Sequence, residues 1–217
     1  MDLWKHVDIY CERTGPEFWS EPLNAISNVA FILAALLVWA ILGGQQDREA
    51  RILTLNLGVI GIGSFLFHTY AQTWAEMADV LPIQAFILIY LYFAMIRIFS
   101  LPIWAGLVAV AAFFPYAYMS ATLIGGYTGS LNGSIAYVPV LLLLGLMALA
   151  TIPRDPGTAK GLAIGAGILL VSLFFRSIDA SVCTTLPFGT HFIWHTLNAI
   201  MLGWVILVLH RHEVHAR

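Results

Sequence analysis

Charge is what this chain has least of. Only 10% of its 217 residues are Asp, Glu, Lys or Arg, against 60% hydrophobic residues and a mean hydropathy of +0.85. Soluble domains carry about 25% charged residues, so the composition excludes an ordinary globular enzyme and describes an integral membrane protein. Acids and bases nearly cancel, leaving a net charge of −2 and a pI near 6.4. Nothing there suits nucleic acid, and the expected partners are membrane lipids. The N-terminus lacks a basic stretch followed by a short apolar core, so no cleaved signal peptide is expected and the first membrane helix does the targeting. No internal repeat, linker or composition shift divides the chain, and residues 1–217 read as one integral membrane domain. Cysteine is limited to Cys11 and Cys183.

Long apolar runs are what the chain has most of. After a polar and aromatic cap over residues 1–20, runs fall at about Pro22–Leu42, Ile52–Tyr70, Met77–Ile98, Leu101–Ser120, Ile135–Ile152, Leu162–Phe175 and Thr190–Leu209. About 20 apolar residues cross the hydrocarbon core, so the pattern predicts an all-α bundle of seven transmembrane helices with a tail at 210–217. The break at FSLP, near Phe99 to Pro102, is tight enough to be a kinked continuation. Glycine- and proline-bearing loops are expected at Gly125–Ser134 and Asp179–Gly189. With seven spans, Arg48, Arg51, Arg97, Arg154, Lys160, Arg211 and Arg217 share one side, and Lys5, Arg13 and Arg176 the other. The basic side is expected to be cytoplasmic, placing the N-terminus outside and the C-terminus inside.

Ionisable residues inside spans are costly and mark function. His191 and His195 lie four apart, on one face of a helix. The predicted topology sets His68 at the end of the second span, Asp79 at the start of the third and this pair at the start of the seventh, all at one depth towards the outer face. Three imidazoles with an open fourth position suit a catalytic zinc, which lowers the pKa of bound water to about 7. His68, His191 and His195 are therefore the expected zinc ligands, and Asp79 the general base that later protonates the leaving group. Ser64, one turn before His68, is placed to hydrogen-bond an oxyanion or the metal-bound water.

Other polar groups have plainer expectations. Asp8, Glu12, Glu17 and Glu21 in the cap offer hard oxygen ligands of the kind calcium takes, although spacing alone describes a solvated acidic surface. Cys11 and Cys183 both fall on the predicted outer side, where a bridge would tie the cap to the entrance of the last span; two free thiols are the alternative. Asn24, Ser27 and Asn28 form a polar patch with no chemistry assigned, and Arg176 with Asp179 an expected ion pair, with Asp179 close enough in depth to support a ligand. His6 is expected at the interface, and His210, His212 and His215 solvated in the tail.

The stretches YCERT and WSEPLNAISN within Tyr10–Asn28, SFLFHTYAQTWAEMADVLP at Ser64–Pro82, FRSIDASVC at Phe175–Cys183 and HFIWH at His191–His195 together resemble the alkaline ceramidase family. That family belongs to a wider group of seven-span membrane hydrolases that includes the adiponectin and progestin receptors. The resemblance runs over essentially the whole chain. It implies an intramembrane zinc on His68, His191 and His195, catalytic roles for Ser64 and Asp79, and a cystine between Cys11 and Cys183. It also implies a calcium site in the cap using Glu12, Glu21 and Asp8. The chain departs from that calcium motif at Ile9, where the family has an aspartate, and at Thr14, where it has an asparagine; the spacing to Glu21 is also shorter.

The expected activity is hydrolysis of the amide bond of a ceramide-like lipid to a long-chain base and a fatty acid. Its rivals are another lipid hydrolase or receptor-like member of the wider group, and a metal-binding membrane protein without turnover.

Overall fold

The computed structural model describes residues 2–216, with side chains through residue 212. It contains α1 (Pro22–Ser27), α2 (Val29–Leu42), α3 (Arg48–Tyr70), α4 (Thr73–Arg97), α5 (Ile103–Thr128), a 3₁₀ turn at Ser134–Tyr137, α6 (Val138–Thr151), α7 (Pro156–Val182) and α8 (His191–Ala216). Among the described residues there is no strand, only an isolated bridge between His6 and Gln72. Seven helical stretches are long and apolar enough to cross a membrane, with α1 and α2 together making the first and the 3₁₀ turn with α6 the fifth. The chain is a multi-pass integral membrane protein, as composition requires.

The last helix is the axis of the bundle. Two-thirds of its apolar window (67%) is buried, against 6% for α5 at the periphery. It packs against α1, α2, α3, α4 and α7. Glycines let its neighbours close in: a Cβ on Gly161 or Gly165 of α7 would lie within 3 Å of Val208 or Val205. Leu33, Leu36 and Leu37 on the outside of α2 stay exposed, as a lipid-facing surface requires.

Three local features depart from expectation, each with a physical reason. The first span breaks at Asn28 because the carbonyl of Asn24 is taken by the Ser27 hydroxyl and the Asn28 amide, both at 2.8 Å, while the Asn28 N–H turns to Ala25. Side chains that compete for helical carbonyls interrupt the ladder in this way. α5 runs on through Gly125 and Gly126 to Thr128, stopping at Gly129 with φ +73°, so the expected loop is shortened at its start. α7 likewise continues through Asp179 to Val182. The FSLP stretch is a true break, with α4 ending at Arg97 and α5 starting at Ile103.

Candidate metal centre

Helix ends bring the candidate residues together at one end of the bundle. His68 sits in the last turn of α3, Asp79 in the second turn of α4, and His191 and His195 in the first turns of α8. The crossing of α3 and α4 is made possible by two residues. Pro82 has no N–H to give the Ala78 carbonyl, and Gly63 approaches there so closely that a Cβ would lie 2.0 Å from the Ala78 oxygen. That contact brings Ser64, the residue after Gly63, towards Asp79, the residue after Ala78. The Oδ1 of Asp79 is buried with no hydrogen-bond partner.

The three histidines are buried, at 0%, 2% and 2% exposure for His68, His191 and His195. Each offers a nitrogen within 4.8 Å of the others, and their ring centroids stand 4.5–5.3 Å apart. Among the described residues this is the one group of three or more such side chains placed to hold a metal. Second contacts fix two of the rings. The Nδ1 of His68 meets Glu21 Oε2 at 2.6 Å, and the Nδ1 of His195 meets the Ser27 hydroxyl at 2.7 Å. Tyr10 stacks on His191 at 3.7 Å between ring centroids. His68 Nε2 and His191 Nδ1 are buried without a partner. Buried ring nitrogens left bare are costly, and a divalent cation shared by the three rings would satisfy them. The donor set fits zinc, including the outer contacts that orient ligating imidazoles.

The cap clamps this centre. Cys11 and Cys183 form a disulfide with Cα atoms 5.4 Å apart, closing a long loop of the kind that constrains the unfolded chain most. Asp179 accepts from the backbone N–H groups of Cys11 (3.1 Å), Thr190 (2.7 Å) and His191 (2.9 Å). It thereby caps α8 and fixes the backbone of a candidate ligand. The expected Arg176–Asp179 pair is thus corrected: the carboxylate goes to backbone donors, and the Arg176 guanidinium lies over the rings of Tyr10, Tyr137 and Trp194 at 5.4–5.8 Å.

The acidic cap is a solvated surface at Asp8 and Glu17 but not at Glu12 and Glu21. Glu12 and Glu21 are buried, at 7% and 3% exposure, while Asp8 and Glu17 are exposed. Glu12 accepts from the N–H groups of Leu23 and Asn24 at 2.7 and 2.8 Å, capping α1. Burial pushes the Glu12 carboxyl above its ordinary value, partly offset by those two N–H groups. Glu21 pairs with Arg13 and bonds Asn24 and His68. Every carboxylate oxygen of the two glutamates thus has a protein donor, and the set as it stands does not fit calcium, which needs about 6–8 oxygen ligands.

Two further expectations are corrected. Ser27, assigned no chemistry, touches His195, because the break at Asn28 turns its hydroxyl inward. His210 is buried rather than solvated, its Nδ1 2.8 Å from Asp47 Oδ2, and His212 reaches Asp155 at 2.9 Å. His6 is exposed, and the His215 side chain lies outside the described residues. What sequence reasoning missed as support for the site is Ser27 and Tyr10, and it gave Glu21 a calcium role where the structure has it hold His68; Asp179, expected at a depth to support a ligand, is near His191 through that residue's backbone N–H. A signal for the local role of Glu21 was an acid directly before Pro22, the first residue of a membrane span.

An apolar cavity adjoins the centre, between α4, α6, α7 and α8. Phe86, Tyr90, Leu144, Leu169, Trp194 and Asn198 are among its walls. Trp194 precedes His195 in sequence, and Asn198 lies about one helical turn beyond it.

A seven-helix membrane protein with a buried tri-histidine centre, a carboxylate and hydroxyl beside it and an apolar cavity below defines a class of lipid-directed membrane hydrolases. Within that class, a family model described as Ceramidase matches residues 10–216, and the chain belongs to this family. No curated protein matches it. Family membership makes it a hydrolase of ceramide-type lipids.

Proposed function

We propose that this protein is a zinc-dependent amidase that cleaves N-acyl sphingoid lipids to a long-chain base and a fatty acid. The observation that carries the reading is the pair of bare, buried imidazole nitrogens on His68 and His191 facing a third histidine, with Asp79 and Ser64 alongside. His68, His191 and His195 would hold the metal. Bound zinc supplies Lewis acidity and a water acidic enough to attack near neutral pH.

The protein's own groups then do the rest. Asp79 accepts the attacking water's proton at its unpartnered Oδ1 and returns it to the departing amine nitrogen, so one carboxylate serves as base and then acid. Ser64 donates to the oxygen that gains charge when the amide carbon becomes tetrahedral. The close approach of Gly63 to Ala78 keeps Ser64 and Asp79 in register. The cavity beside Trp194 takes one hydrocarbon chain and excludes water below the reacting amide. The cap, the disulfide and the metal centre face the outside of the membrane, with the basic loops and the C-terminus cytoplasmic.

A panel of N-acyl sphingoid lipids, glycerolipid esters and other N-acyl lipids, presented to detergent-solubilised protein, tests the reaction. The reading requires amine and fatty acid release from the N-acyl sphingoid lipids and its loss in Asp79→Ala at retained fold. Release from esters alone would assign the chain to a different lipid hydrolase.

A further inference from the structure

The cap of this chain carries a buried cation of its own. Arg13 is 8% exposed, and its guanidinium spends three nitrogens on three different parts of the fold. Nε donates to Glu21 Oε1, just before α1; Nη1 donates to the Gly15 carbonyl at 2.9 Å, within the cap; Nη2 donates to the His68 carbonyl at 2.9 Å, at the end of α3. All three acceptors are oxygens, the kind of shell a hard divalent ion would gather. The remaining oxygens are committed elsewhere: Glu21 Oε2 to His68 Nδ1 and the Asn24 amide, and both oxygens of Glu12 to backbone N–H groups.

We propose that Arg13 is the resident cation of this cap, a positioning residue that stands where a calcium ion would otherwise be needed and that orients His68 for metal binding. Arg13 grips His68 twice, through its carbonyl and through Glu21, which holds the ring at Nδ1. A planar guanidinium matches such a fork of acceptors, whereas an ammonium offers a single nitrogen. The part concerning His68 rests on the zinc reading; the part concerning calcium does not.

Full-length protein in detergent, moved to calcium-free buffer, is titrated with calcium chloride while its thermal midpoint is followed. The wild-type midpoint should not move. In zinc titrations of folded protein, Arg13→Ala should weaken zinc about 10–100-fold, the usual effect of losing an outer contact to a ligand, and lower the midpoint by several degrees. A wild-type midpoint that climbs with calcium overturns the proposal. So does Arg13→Ala with wild-type zinc affinity, because a brace that only stabilised the cap would change the midpoint alone. Should Arg13→Ala not accumulate as folded protein, Arg13→Lys keeps the charge and loses the fork: weakened zinc supports the role, and unchanged zinc overturns it. A wild-type chain that ignores calcium and takes no zinc refutes the metal centre while leaving Arg13 as the cap's cation.

Discussion

The two ends of the bundle each bury a histidine against a carboxylate, and they do opposite things with it. At the cap end, His68 meets Glu21 through Nδ1 while Nε2 is bare. At the other end, His210 meets Asp47, which also accepts from Arg97 at 3.0 Å and from the Ala50 N–H at 3.1 Å. Arg97 in turn pairs with Glu49. The second cluster consumes its own charges and ties the start of α3 to the ends of α4 and α8. The first leaves donor atoms pointing at a shared space beside an unpartnered carboxylate oxygen. A histidine buried beside a carboxylate is therefore no mark of function by itself; what sets His68 apart is its bare Nε2 and the two histidines around it.

That contrast can be broken most severely at the ligands. His195→Ala is expected to abolish hydrolysis and zinc retention together, whereas His210→Ala should keep both in whatever protein remains folded; activity and metal analysis on purified variants check this. Asp79→Asn comes next. It removes the proton carrier but no metal contact, so turnover should fall about 10²–10⁴-fold at unchanged zinc content, read from initial rates on an N-acyl sphingoid lipid. Ser64→Ala should cost about 10²–10³-fold, mostly in kcat.

The smaller effects sharpen the other side of the comparison. Asp47→Asn leaves His210 facing a neutral partner and Arg97 with Glu49 alone, and losing charged hydrogen bonds of this kind costs about 1.5–3 kcal/mol, seen as a lower midpoint with normal activity per folded molecule. In the folded chain, burial raises the Asp47 carboxyl, but His210, the Ala50 N–H and Arg97 outweigh it and hold the group below its usual range. A carboxyl lowered on folding contributes stability that is complete above its unfolded pKa of about 3.9 and is lost as pH falls through the lower folded value. Wild-type midpoints should therefore fall with acidification below about pH 4 as Asp47 takes up its proton, and the difference between wild type and Asp47→Asn should shrink over the same window.

How much of this was legible in the sequence follows from the range of each interaction. Seven spans could be read because a lipid core imposes one length and one composition on every helix. His191 and His195 share a face by helical period, and the topology alone brought His68 and Asp79 to their depth. The supporting residues were not legible in the same way. Glu21 reaches a histidine 47 positions away, and Asp179 reaches both Cys11 and the start of α8. Such pairings depend on how the cap folds back over the bundle, which no local period records. Gly189 illustrates the point: with φ +61° and a Cβ that would sit 2.1 Å from Asp179 Oδ1, it is the turn that lets the disulfide, Asp179 and α8 meet. As sequence it read only as a loop glycine. His210 failed in the opposite direction, since its place near the C-terminus suggested solvent while Asp47 waited in the loop after the first span.

The most direct test of the central claim is metal analysis of the purified wild type beside His195→Ala and His210→Ala, each prepared with zinc supplied during expression. One zinc per chain in the wild type and in His210→Ala, and none in His195→Ala, is the predicted result. A wild type that hydrolyses lipid without zinc, or a zinc that disappears with His210 and survives the loss of His195, would contradict it.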